Sequence, residues 1–384
     1  MQINSVAVSA DGTRCICGTS EEYNSGQFGV FCYNGDGTPA WSAAIGPANS
    51  YQGVFWVGIS GNGQYAAAGG ELAKSNAGFL TAYSTSDGTR LLNATSSARY
   101  NQVALSVDGT SLLAVFDDTV QLYTLGGSGY TLTSSQVLAG AYCNSCALSD
   151  DGSVAVVSVM VYPPDDSAGT GTSTQNTGQV VTLAASGGVL TVSGTWNAPV
   201  GSMRVAMAAS GMHWAASMHD GSCALFDAQH VTEPLWTFTP SVTGLGLAYG
   251  LDLTETSDGR IVLACGANVT QNSVTTGYLY VVDAAVVNGE RVPKQRWSAS
   301  LQYSANPGVS LDRDAIYVTA TDGEPSGTTE SPGNFYLYSG ANGSLVWSYP
   351  TAIMNWPMVI TPDASTAFGG SDTGGVYYWK LPAR

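Results

Sequence analysis

Residues 277–301, GYLYVVDAAVVNGERVPKQRWSASL, read as a strand, a turn and a second strand. The stretch opens on Gly277, runs through a tyrosine-rich apolar segment to Asp283, and reaches Trp297 in the second strand. Apolar alternation on both sides of a polar turn makes an antiparallel hairpin. A hairpin cannot bury its apolar faces alone, so the fold depends on whether this order recurs.

It does recur. Short strands ending in a turn stand at NSVAVSADG (4–12), FWVGISGNG (55–63), NQVALSVDG (101–109), NSCALSDDG (144–152), MRVAMAASG (203–211), YGLDLTETSDG (249–259), ANPGVSLDR (305–313) and WPMVITPDA (356–364). The turn positions are Asp11, Asn62, Asp108, Asp151, Ser210, Asp258, Asp312 and Asp363, 43 to 59 residues apart. Asp-Gly and Asn-Gly tolerate positive φ and so mark tight turns. A second strand follows each turn, then a variable loop. The third strand often opens on glycine (GFLTAY, GQVVTL, GYLYVV, GNFYLY), and the fourth often carries tryptophan (PAWSAA, GTWNAP, PLWTFT, QRWSAS, LVWSYP).

Four antiparallel strands per unit, repeated eight times, predict an all-β chain folded as a single eight-bladed β-propeller. The blades would span roughly 1–50, 51–98, 99–140, 141–200, 201–244, 245–302, 303–352 and 353–384. In this reading the glycine starts the third strand, the aspartate ends it, and the tryptophan fills the widening gap between wedge-shaped blades. The last unit stops after its third strand, and only Met1 to Ile3 precede the first inner strand. A three-stranded last blade is therefore expected, its edge blunted by Lys380 and Pro382.

Gly277, Leu279, Tyr280, Asp283 and Trp297, and more loosely Gly333, Tyr336 and Trp347, resemble the pyrroloquinoline-quinone-type propeller repeat. WD-repeat propellers are a second, weaker resemblance. The likeness covers essentially the whole chain and implies eight blades, as in the quinoprotein-like superfamily, without implying an activity. Quinone dehydrogenases of that kind stack their cofactor between a tryptophan and two adjacent disulfide-bonded cysteines. No Cys-Cys pair occurs here, so neither that activity nor any cofactor is expected.

With 28 acidic and 12 basic side chains, a net charge of −16 and 10% charged residues, the chain repels phosphate backbones, and nucleic-acid binding is not expected. No apolar run reaches the length of a membrane span, so membrane insertion is not expected either. The first residues enter a strand with no leader-like segment, which reads as a cytoplasmic protein or as an exported one whose leader has been removed. Six of the seven cysteines sit in apparent strands, as small apolar residues of a reduced compartment. Cys143 and Cys146 alternate to opposite faces of their strand, which argues against a redox or metal pair. No metal site is expected, and the chain reads as a monomer.

Function should gather where the variation does. The Asp-Gly turns are alike and occupy one face. The opposite face collects the long loops 19–27, 71–78, 160–178, 267–277 and 321–333, with acids Glu21, Glu22, Glu71, Asp165, Asp166, Asp322, Glu324 and Glu330. The start of each inner strand should line the channel mouth there, giving Trp56, Asn101, Asn144, Arg204, Tyr249, Asn306, Asn355 and Trp356 as candidate ligand-binding residues; Asn4, Phe55, Gln102 and Met203 share that register. Amides and aromatic faces suit a protein, a peptide, a glycan or a small neutral ligand. Asp252 falls in a ring of Ala and Gly near the axis, with Arg204 as its expected partner. The candidate catalytic groups are Asp252, Arg204, His219 and Asp220. A non-enzymatic binding or scaffold propeller is the first reading. A lyase, cyclase or hydrolase with its site at the channel mouth is the alternative.

Overall fold

The computed structural model describes residues 2–20, 28–46, 53–72, 77–161, 177–323 and 332–382. Among them every sheet is antiparallel and, outside the seventh, pairs strands adjacent in sequence, and no helix occurs, so none is long and apolar enough to cross a membrane. Six sheets have four strands, the last has three, and the seventh counts five because its inner strand is broken into Ser304–Ala305 and Ser310–Leu311. The eight sheets are the blades of a β-propeller. The inner strands of the other seven are Gln2–Val8, Val54–Ile59, Tyr100–Leu105, Tyr142–Leu148, Ser202–Met207, Leu245–Glu255 and Asn355–Ile360.

The core is not central. It is divided into eight apolar clusters, each shared by two neighbouring blades. Between blades 1 and 2, for example, Ile16 and Val30 meet Val57, Ala66 and Phe79. The outer-strand tryptophans reach across these junctions. Trp41 Nε1 donates to Thr85 O (2.8 Å) in blade 2 and Trp297 Nε1 to Gly340 O (2.9 Å) in blade 7, while Trp196 packs on Phe226 and Trp347 on Trp379. Gly277 is glycine for a local reason: a Cβ there would lie 2.7 Å from Tyr303 O, because the next blade's chain crosses at that point.

The ring closes without strand exchange. Blade 8 keeps Asn355–Ile360, Thr366–Ser371 and Val376–Lys380, and meets blade 1 through Ile3, Val6, Cys15, Cys17 and Phe368. The Tyr378 hydroxyl donates to Gly35 O, and Gln2 Nε2 to Asp372 Oδ2 at 3.1 Å. At the edge, Lys380 donates to Thr366 Oγ1 (3.3 Å) and its ammonium lies over the Tyr378 ring, while Pro382 is exposed.

Three details depart from the sequence reading. Asp283 does not end its strand, which runs Val274–Val287 and turns at Asn288–Gly289, both at positive φ; Asp283 instead pairs with Arg296, whose Nε lies 3.0 Å from Oδ2. The blade 7 turn sits two residues later than Asp312. Ala315 takes the left-handed position held by Gly12 in blade 1, so Asp314 replaces Asp312 as the turn aspartate, and Asp312 is fully buried. Cys143 and Cys146 share one apolar cluster, because a bulge between Cys143 and Ser145 resets the alternation; both are free thiols whose pKa burial pushes well up, which keeps them unreactive.

Closure by side-chain contacts, without a shared strand, makes the blade 1–8 junction sensitive to volume. A Cβ on Gly370 would lie 2.2 Å from Ile3 Cγ2, whereas one on Gly246 would meet nothing within 4 Å. Gly370→Ala should therefore cost about 2 kcal/mol in a urea titration, and Gly246→Ala well under 1 kcal/mol.

Candidate functional site at the channel mouth

Each inner strand carries an irregularity near its start, and this builds the site. Asn4, Phe55, Asn101, Asn144 and Met203 are each skipped in the pairing with the second strand, as are Tyr249 in blade 6 and Trp356 in blade 8. A bulged residue has no cross-strand partner, and its side chain is re-aimed out of the sheet. All seven converge on one cavity of about 340 Å³ at the mouth, which Gln2, Trp56, Arg99, Arg204, Met354 and Asp372 complete. No described residue of blade 7 joins the lining. Tyr249 and Trp356 meet across it with ring centroids 6.0 Å apart.

The asparagines also tie blade to blade. Asn4 Nδ2 donates to Val54 O (3.1 Å), Asn101 Nδ2 to Cys143 O (2.7 Å) and Asn144 Nδ2 to Ser202 O (3.1 Å), each time into the next blade. The hydroxyls of Ser5 and Ser145 accept from Val57 N and Val205 N in the same sense. Asn306 and Asn355 leave the mouth altogether: both are buried at the blade 7–8 junction, where Asn306 Nδ2 donates to Asn355 O (2.6 Å). The amides expected to face a ligand therefore have their N–H groups largely committed to the ring, and what faces the mouth is the aromatic, guanidinium and amide-oxygen surface.

Below the mouth a second cavity of about 370 Å³ occupies the channel, and Asn4, Trp56, Arg204 and Tyr249 line both. Arg204 divides them. It crosses from blade 5 to donate Nη1 to Gln102 Oε1 (3.2 Å) and to lie 4.7 Å from the Trp56 ring. The expected Asp252–Arg204 pair does not form. Measured from the turn, Thr256 stands where Ser9 stands in blade 1, so Asp252 shares the register of Ser5 rather than that of Ala7. It does Ser5's work: Oδ2 accepts from Leu311 N (2.7 Å) in blade 7, and Oδ1 from Leu253 N (2.8 Å). Desolvation nevertheless raises its carboxyl to about 6, against the lowering effect of those N–H groups and the Ser310 hydroxyl.

The other candidates are not brought together. Both ring nitrogens of His219 are buried without a partner, burial pushes its pKa down, and Asp220 accepts from Ser222 N (3.0 Å) and Oγ (2.5 Å) within its own turn. No His–Asp acid/base pair exists there, and neither residue lines the mouth. Asp322, expected as a rim acid, is fully buried. It accepts from Tyr303 N, Tyr336 Oη, Asn334 N and Asn334 Nδ2 at 2.7–3.1 Å, and burial raises its pKa. Glu71 lies at the partly buried end of its strand. Glu21, Glu22, Asp165, Asp166, Glu324 and Glu330 lie outside the described residues. No group of three metal-ligating side chains occurs among the described residues.

Arg99 and Asp372 were missed. Arg99 precedes the inner strand, and Asp372 lies in the turn after Thr366–Ser371, so neither falls in the register from which the lining was read. The signal for Arg99 was its rarity among 12 basic residues, beside an inner-strand start.

No family model and no curated protein matches the chain. Solved structures do. The Cps50 (Swd1) β-propeller domain of Myceliophteria thermophila superimposes with a TM-score of 0.57 at 13% identity, over 99% of this chain and 97% of that one. Kuenenia stuttgartiensis hydrazine synthase does so with a TM-score of 0.55 at 12% identity, over 85% and 94%. At such identities the likeness is one of fold.

Two acids should respond oppositely to substitution. Asp252 binds its proton more tightly folded (about 6) than at the ordinary aspartate value of 3.8, so stability falls as pH rises between those values and is level above. Wild type should lose at most about 3 kcal/mol relative to Asp252→Asn between pH 4 and 7 in urea titrations, less any screening by channel water. Asp322→Ala strands four donors and should cost about 3 kcal/mol or more at pH 7.

Proposed function

We propose that this propeller is a binding protein that holds a small ligand, or the exposed end of a peptide or glycan, in the channel mouth. The observation that carries the reading is the ring of bulges: seven blades each turn one side chain out of register into a single concave, mixed polar and aromatic cavity. Irregularities of this kind recur where strands re-aim side chains towards a site, and a cavity of this size and lining suits a small-molecule group. The fold is shared by a protein named as a synthase and by one named as a propeller domain, so function follows from the site and not from the ring. The Gly–Tyr–Asp–Trp pattern points in addition to a quinoprotein-like ancestry, here without that family's cysteine pair.

One observation favours catalysis as a second reading. Asp252 lines the lower cavity with its carboxyl raised to about 6, a range in which a carboxylate can exchange protons near neutral pH. A lyase, cyclase or hydrolase would use it beneath Arg204.

Peptide and glycan arrays probed with wild type and with Trp356→Ala test the first reading. Binding should fall at least about tenfold in the variant, with its melting temperature close to wild type. Binding indifferent to Trp356→Ala would move recognition away from the mouth. Binding that survives Asp252→Asn while turnover of the bound compound disappears would favour the second reading.

A further inference from the structure

The mouth carries charge of an unexpected sign. Arg99 and Arg204 line it in a chain with 28 acidic and 12 basic side chains. Neither has a carboxylate partner among the described residues, where the four ion pairs use His213, His230, Arg260 and Arg296. Arg99 donates Nε to Asn101 Oδ1 (2.9 Å) and Nη2 to the Tyr142 hydroxyl (3.0 Å), and its guanidinium lies 4.0 Å from the Phe55 ring centroid. Arg204 donates Nη1 to Gln102, rests on Trp56, and has a buried Nε with no acceptor. That leaves Nη1 of Arg99 and Nη2 of Arg204 with no acceptor among the described residues. The described groups that they touch are neutral amides, a phenol and ring faces, which orient the guanidiniums without neutralising them.

Keeping two cations in one partly desolvated cavity is unfavourable. Burial draws Arg204 down to about 10, opposed by Tyr249 and reinforced by the charge of Arg99, so it stays charged at neutral pH. A bound anion relieves both the repulsion and the missing acceptors. Guanidinium geometry matches a planar carboxylate, and such charge-assisted bonds are the strong ones. Asp372 lines the same cavity and accepts from Gln2, which limits how much negative charge a ligand can bring. A single carboxylate fits this balance better than a doubly charged phosphate.

We infer that the mouth recognises a small organic carboxylate, its charged group held by Arg204 and Arg99 and its flat or apolar body against Trp56, Trp356 and Tyr249. This rests on the reading of the mouth as a ligand site, and it replaces the neutral ligand expected from the sequence.

Tryptophan fluorescence titrations test it with benzoate and glucuronate, against benzamide and glucose as neutral counterparts. At least one carboxylate should give a saturable change, bind at least about tenfold more tightly than its neutral counterpart, and weaken with added salt. Arg204→Met should abolish the preference, Arg204→Lys should retain part of it, and Arg99→Met should reduce it, with thermal melts reporting whether each variant is folded. Arg99 serves as the deciding variant if Arg204→Met does not fold. Neutral counterparts binding as tightly as carboxylates, or a preference unchanged in the folded arginine variants, would overturn the inference and leave the mouth as a binding site. Saturation by no probe of either charge also overturns it; the broader reading fails only if the arrays find no mouth-dependent binder.

Discussion

A small sheet with two apolar faces has to be covered twice, and among the described residues only another sheet is available to do it. Ile16 and Val30, Leu113 and Val157, or Val281 and Val318 are buried only because a neighbouring blade lies against them. Eight such junctions make the ring self-consistent: no blade is stable by itself, and none can be removed without exposing two clusters. The seam at blades 1 and 8 obeys the same rule with fewer resources, since Ile3, Cys15 and Phe368 do there what continuous strands do in propellers that close by exchange.

The mouth is a by-product of that constraint and depends on it. Inner strands lie close around an axis, where side chains crowd, and the chain answers by bulging or breaking each strand and, in several blades, using asparagine or serine to bond the next blade's backbone. The bulges then point inward in a ring. Polar groups near the axis are thereby divided in function. Amide N–H groups, Asp252 and the inner serines hold the blades together, while Trp56, Trp356, Tyr249 and the two guanidiniums are left to face whatever enters. Gln2 and Asp372 belong to both sets, because the closing seam runs through the mouth.

Architecture was legible because it is periodic. Ser-x-Asp-Gly turns recur at blade spacing and identical hydrogen bonds close them, with Ser9, Ser60, Ser106 and Ser149 each donating to the acceptor two residues on at 2.7 Å. The three-stranded last blade could be read in the same way, from where the final repeat stops. Most of the mouth, including Trp56, Arg204, Tyr249 and Trp356, followed from inner-strand register. What did not follow was anything set by a neighbour. A bulge is a property of two strands, so the common face of Cys143 and Cys146 had no local signature. Asp252 and Arg204 were paired by sign and proximity in register, yet the backbone N–H of Leu311 in a broken strand proved the better partner. Asp322 looked like a loop acid because burial by Tyr303 and Tyr336 comes from elsewhere in the blade.

The central claim is that side-chain packing and hydrogen bonds, without a shared strand, close the disc and so fix the mouth. Native-state hydrogen exchange at the seam measures this most directly. The account predicts that amides of the inner strands on either side, such as Val6 and Met358, exchange with the same opening free energy as those at the junction of blades 3 and 4. A separate, much lower opening confined to blades 1 and 8 would contradict it, since the mouth would then be an intermittent structure.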